Sequence, residues 1–192
     1  MVQGRNEISI FNKPFPFGKN KRMKNLLLPL LLSISLNICY SQNPFRKFIG
    51  EWTLKGDNWD QNWGNGDEHI KIPNHHTICR DINTDNSLLA VIDGAPPHGH
   101  IFWSYNPVKK EVNHLSSFGT TRAGVGKGTV NENGDVSLKI SFADEPEGTY
   151  RLYTYKWISE NEYALRSVQY DAKDKATGNF YGGIFVRIQS EK

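Results

Sequence analysis

Phe48-Ile49-Gly50-Glu51-Trp52 is the stretch on which the reading of the fold turns. A Gly-x-Trp step opens the first strand, and short runs of alternating polarity follow it with no segment of helical period. From there to the C-terminus, turn residues recur roughly every eight to twelve positions, the spacing of a β-sandwich or barrel. Strands are expected at 50–56, 67–72, 75–82, 88–93, 99–105, 111–117, 124–130, 136–142, 149–158, 163–170 and 179–188. Val136, Leu138, Ile140 and Phe142 alternate with Ser137, Lys139 and Ser141, the pattern of a half-buried strand. The connectors suit hairpins: Asn106-Pro107, Asn133-Gly134, Glu145-Pro146-Glu147-Gly148 and Ser159-Glu160-Asn161-Glu162. Asn-Gly supplies the positive φ that a tight hairpin turn requires. Consecutive hairpins form a meander, and a meander of about ten strands removes its exposed edges by closing on itself. The expected fold class is therefore all-β, an antiparallel up-and-down meander closing into a barrel. Residues 57–66 read as a long loop or irregular hairpin near one rim, and 171–178 as a solvated loop or short helical turn.

The first forty-odd residues belong to a different logic. Lys19, Lys21, Arg22 and Lys24 precede an apolar run from Leu26 to Leu36, and Cys39-Tyr40-Ser41 offers a cleavage region. This is the order of a secretory signal, and the run is shorter than the roughly twenty residues of a membrane span. Residues 1–22 read as an upstream extension or a misassigned start, 23–41 as the signal peptide, and 42–192 as one barrel domain. Ile38 is too bulky for the small residue that lipid processing at Cys39 prefers, so a secreted or periplasmic protein is expected, touching membrane only during export. The leader holds six of the 23 basic and one of the 20 acidic side chains, leaving 17 and 19, a mature net charge of −2. Without a basic stripe to displace counterions, nucleic acid is not an expected partner. Cys79 alone remains after cleavage, so no intrachain disulfide forms, and it reads as a packed thiol.

Phe45-Arg46-Lys47-Phe48-Ile49-Gly50-Glu51-Trp52, a short turn running into Gly-x-Trp, resembles the opening of the calycin barrels. That group includes lipocalins, fatty-acid-binding proteins and bacterial lipocalin-like domains. The resemblance implies a lipocalin-like or fatty-acid-binding-protein-like barrel in which a late arginine covers the tryptophan. Arg187 occupies the matching position, so Gly50, Trp52 and Arg187 are expected to close one end. A guanidinium over an indole is a favourable cation–π contact. The lipocalin disulfide and the central Thr-Asp-Tyr type of motif are absent.

Candidate functional residues fall into three groups. If Ser159–Glu162 is a four-residue loop, Ile158 pairs with Tyr163, Tyr155 with Arg166 and Tyr153 with Val168. Arg151, Tyr153, Tyr155 and Trp157 then share a face with Arg166, Val168 and Tyr170. Two arginines are costly in a dry core but suit a wet cavity holding an anionic head group, with Trp103 as a further contact. The alternative turns this face outward and places Leu152, Tyr163 and Leu165 inside. The histidines form the second group. His98 and His100 share one side of an extended segment, with His114 expected across the turn opposite Phe102 and diagonal to His100. With Asp93 they form a candidate zinc set, and His100 or His114 with Asp93 a candidate acid–base pair. Surface or satisfied-core histidine is the bland reading of all three. Trp59, Trp63, Trp103 and Tyr105 form the third group, a platform on which sugar rings would stack, with packing against the barrel rim as the bland reading.

The segment 119–129 has glycines and Lys127 but lacks Gly-Lys-Ser/Thr before a helix, so it is not a phosphate loop. Gly124, Gly126 and Gly128 read instead as an alternating glycine face at a barrel corner. The functional expectation is an exported barrel binding a small, partly apolar, anionic ligand with no cofactor. A small barrel enzyme and a carbohydrate-binding module are the alternatives.

Overall fold

A computed structural model describes residues 43–82 and 86–189. The readings made on the leader lie outside the described residues. The strands are β1 (Gly50–Leu54), β2 (Asn58–Asn62), β3 (Glu68–Lys71), β4 (Thr77–Arg80), β5 (Ser87–Ile92) and β6 (Gly99–Asn106). They continue as β7 (Glu111–Phe118), β8 (Arg122–Val130), β9 (Val136–Phe142), β10 (Tyr150–Ser159), β11 (Glu162–Tyr170) and β12 (Ala176–Arg187). β1 pairs with β4, the chain then meanders strand by strand to β12, and β12 returns to β1. All pairings are antiparallel, so ten strands close a barrel. β2 and β3 form a hairpin that continues β12 beyond β1: Leu54 pairs with Phe185, and Asp60 with Gly182.

β2 lies inside the stretch read as a long loop or irregular hairpin, and it is the first strand of the β2–β3 hairpin. Its outer positions, Asn58, Asp60 and Asn62, are turn-type residues that hide the alternation, while Trp59 and Gln61 face the cavity. Asp171 does begin a turn, accepting the Lys173 and Lys175 amides on Oδ1, but Ala176–Gly178 already belong to β12.

The floor is built by the opening motif. Phe45 and Phe48 flank a short 3-10 turn (Arg46–Phe48) and are buried, as is Trp52, whose indole Nε1 donates to the Phe48 carbonyl at 2.8 Å. Trp52 pairs with Arg187 across β1 and β12, and the guanidinium carbon lies 4.3 Å from the indole ring centre. Arg187 donates to the Ile49 carbonyl at 2.6 Å and the Lys47 carbonyl at 2.7 Å. Gly50, at φ 135°, stands where a Cβ would collide with that guanidinium. On the opposite wall the inward glycines of β8 let β9 approach closely. A Cβ at Gly128 would overlap the Ser137 carbonyl, so this face is filled from the side by Leu138 and Ile140. Outside, Leu89, Phe102, Leu115 and Val125 align across β5 to β8, with Leu115 52% and Val125 63% exposed.

Arg187→Ala removes two charge-assisted bonds and the ring contact. It is expected to lower the unfolding free energy by roughly 2–4 kcal/mol, read by urea denaturation. Arg187→Lys recovers little of this, because a single ammonium lacks the planar fork that spans two carbonyls.

Candidate functional site

Above the aromatic floor lies a cavity of about 730 Å³. Its wall is mostly apolar. Phe48, Trp103, Tyr155 and Tyr163 line the deep end, while Trp63, Pro96, Pro97, Phe118, Arg122 and Asp144 stand towards the mouth. Trp103 and Tyr155 meet edge to face at 4.9 Å, and Phe48 packs on both Tyr155 and Tyr163.

The β10–β11 hairpin differs from its expected register by one residue. Ser159 pairs with Glu162 across a two-residue turn, which keeps the expected register, and a bulge between Trp157 and Ser159 then shifts it to Trp157–Tyr163. Tyr155 therefore faces Leu165 rather than Arg166, Tyr153 faces Ser167, and Arg151 faces Gln169. The inner surface combines Arg151, Tyr153 and Tyr155 with Tyr163 and Leu165, half from each of the two sequence readings. Arg166 is a correction: it is exposed on the outer face with its guanidinium over Phe180 at 4.4 Å. Leu152 also points away from the inner surface.

Arg151 is 1% exposed, and its charge is met by Glu145, while its buried Nη1 has no hydrogen-bond partner. Its Nε donates to Glu145 Oε1 at 2.5 Å, and the same carboxylate oxygen accepts Arg122 Nη2 at 2.8 Å. Gln169 donates to the other oxygen, and Arg122 also bonds Asp144 at 2.9 Å. Burial opposes the Glu145 carboxylate, but these arginine bonds outweigh it and hold its pKa below the usual range. Burial likewise opposes the Arg122 charge, and the bonds to Glu145 and Asp144 more than offset it. The Arg151 guanidinium also lies 4.9 Å from the ring centres of Trp63 and Tyr181. Arg151 is thus a structural cation near the mouth. Arg122, which the sequence reading passed over with the rejected phosphate loop, is the arginine on the cavity wall.

Tyr153 shares its hydroxyl with Tyr181, which stacks on Trp59 and packs against Trp63. Trp59 and Trp63 therefore belong to the cavity rim rather than to a free platform, although Trp63 is 47% exposed. Trp103, expected beside them, is buried and 2% exposed. Tyr181 was readable from its period of two with Phe185 and Arg187. Glu145 carried no signal beyond that of a turn residue.

The histidines do not converge. His100 is exposed on the outer face, and His98 bonds the Gly94 carbonyl at the rim. His114 faces inward, paired with Trp103 rather than Phe102. Asp93 takes His76 at 2.7 Å, so neither the proposed zinc set nor the acid–base pair is assembled. Among the described residues no group of three or more His, Cys, Asp or Glu is placed to hold a metal. His114 Nδ1 accepts the Trp103 indole N–H at 2.9 Å, which leaves Nε2–H to donate to Ser116 Oγ at 2.9 Å. Desolvation lowers its pKa to about 4, consistent with a neutral ring. Cys79 lines the cavity as a protonated thiol, pushed up to about 12 by burial. Burial likewise raises the Tyr155 and Tyr163 phenols.

An unfolded histidine takes up a proton near 6.5, whereas His114 in the fold does so only near 4. Stability from this group is complete above 6.5 and is lost as pH falls through that window. His75, lowered by its own burial, acts in the same direction. His114→Gln keeps a donor and an acceptor and is expected to flatten part of the decline, seen as Tm against pH between 7 and 4.

No protein-family model and no curated protein matches the chain. Among solved structures it is similar to the S-type phycobiliprotein lyase CPES from Guillardia theta, with a TM-score of 0.51 and 12% sequence identity. The match covers 77% of this chain and 92% of that one. At that identity the likeness is one of fold.

Proposed function

We propose that this chain is an exported, lipocalin-like barrel that carries a small, largely apolar molecule in its cavity. The observation that carries the reading is the cavity itself: about 730 Å³, aromatic-walled, floored at one end. Ligand sites are typically concave, apolar and furnished with a few placed polar groups. The neighbouring fold belongs to a phycobiliprotein lyase, and the Gly50–Trp52–Arg187 floor supports kinship with the lipocalin-like barrels. Export rests on the basic, apolar and small-residue order of the leader, and a mature net charge of −2 disfavours nucleic acid as a partner.

An anionic group on the ligand is best placed at the mouth, where Arg122 and Lys71 line the wall. Both cations already have partners, Arg122 in Asp144 and Glu145, Lys71 in the Gly56 carbonyl and Asn58. Such a group therefore stays in water. Arg166, outside the barrel, takes no part.

The probe 11-(dansylamino)undecanoic acid joins an apolar ring system to a carboxylate and tests the reading by fluorescence. A blue-shifted enhancement with micromolar affinity is expected. Ala90→Phe, which projects a ring into the cavity from β5, should weaken binding at least about tenfold while circular dichroism confirms the fold. An unchanged spectrum with the parent protein overturns the proposal.

A further inference from the structure

The polar groups of the cavity are unevenly satisfied. At the mouth, Arg122 and Asp144 bond each other, and Tyr153 and Tyr181 share their hydroxyls. Gln61 bonds Glu68, and Lys71 bonds a carbonyl and an amide oxygen. The deep end differs. Tyr155 and Tyr163 line the cavity on neighbouring strands with ring centres 6.2 Å apart, and both are almost completely buried. Among the described residues neither hydroxyl has a hydrogen-bond partner. Neither is among the sealed polar atoms without a partner, so each hydroxyl opens on space.

Their surroundings decide what they can offer. Phe48 packs edge-on against both rings, and Trp103 against Tyr155. The Cys79 thiol lines the same wall, and Arg187 lies beneath the floor. Among the described residues the sole carboxylate on the cavity wall is Asp144, at the far end and held by Arg122. Among the described residues the deep end therefore presents hydroxyl donors with no protein acceptor within hydrogen-bonding distance, and the sealed Nδ1 of the wall residue His75 is likewise without a partner. Buried polar groups normally find partners, and a hydroxyl taken out of water without one is costly.

Building on the carrier reading above, we infer that the bound molecule is a carbonyl compound whose oxygen enters first and accepts from the Tyr155 and Tyr163 hydroxyls. A carboxylate fits this end poorly. Among the described residues no cation lines that end; Arg187, whose charge reaches Tyr163 from beneath the floor, is held by the Ile49 and Lys47 carbonyls, and an unpaired buried charge costs far more than a buried ketone or amide oxygen. Burial keeps both phenols protonated across the physiological range, so the donors are permanent. The aromatic rings around them suit a flat, conjugated body behind the carbonyl. The ligand class is thus a planar aromatic or polyene ketone, amide or quinone, oriented oxygen-down, with any charged group left at the mouth.

The test compares 2-acetylnaphthalene with 2-isopropenylnaphthalene, which replaces C=O by C=CH₂ at nearly constant shape. Binding is followed by quenching of the tryptophan emission in the parent protein and in Tyr155→Phe/Tyr163→Phe, which removes only the two hydroxyls. The double variant should bind the ketone about tenfold or more weakly and the alkene with unchanged or greater affinity. Equal effects on both probes, or none on either, overturn the carbonyl assignment while leaving the cavity as a binding site. Failure of the parent protein to bind either probe overturns the carrier reading itself. The single variants, checked by thermal melts, separate loss of a donor from loss of fold.

Discussion

The contact between Arg187, Trp52 and the carbonyls of residues 47 and 49 is the constraint on which the barrel depends. It joins the last strand to the turn before the first, and so closes the sheet where β1 and β12 meet. One guanidinium satisfies two backbone acceptors and covers an indole, while Gly50 leaves the room it needs. Trp52 in turn holds the Phe48 carbonyl, so the whole floor is tied through one side-chain stack. With that end sealed by Phe45, Phe48 and Trp52, unfilled volume is confined to the space above it.

A second constraint acts near the mouth. Arg151 is enclosed by rings and would be an uncompensated charge without Glu145. Breaking such a buried pair typically costs about 3–5 kcal/mol, so the 143–149 connection is anchored to the barrel rather than left as a free loop. Arg122 shares the same carboxylate and carries that anchoring to the cavity wall. The two ends thus differ chemically: ion pairs around the mouth, neutral donors at the bottom. A ligand that enters meets charge that is already answered and reaches hydroxyls that are not.

Much of this architecture was legible in the sequence because it is carried by alternation and turns. β9 reads directly from Val136, Leu138, Ile140 and Phe142, and the Trp52–Arg187 contact from the opening motif. What was not legible depended on register. A bulge at Ile158, between the pairs Trp157–Tyr163 and Ser159–Glu162, moved Arg166 from the cavity to the outer face and brought Tyr163 and Leu165 in. His100 and His114 parted for a similar reason, since Trp103 rather than Phe102 lies opposite His114. A period of two makes every inside–outside assignment sensitive to such a slip. β2 was masked by Asn and Asp on its outer face, and Glu145 by its place in a turn.

The central claim is a hollow barrel, sealed by the Trp52–Arg187 floor and entered from the other end. Methyl chemical-shift mapping by NMR, with 1-anilinonaphthalene-8-sulfonate as the added molecule, tests it most directly. The account predicts shifts at the inward methyls of Ala90, Ile101 and Leu165, continuing to Ile72 and Ile92 along the cavity wall. Shifts confined to the outer row of Leu89, Leu115 and Val125, with the inward methyls unmoved, would contradict it.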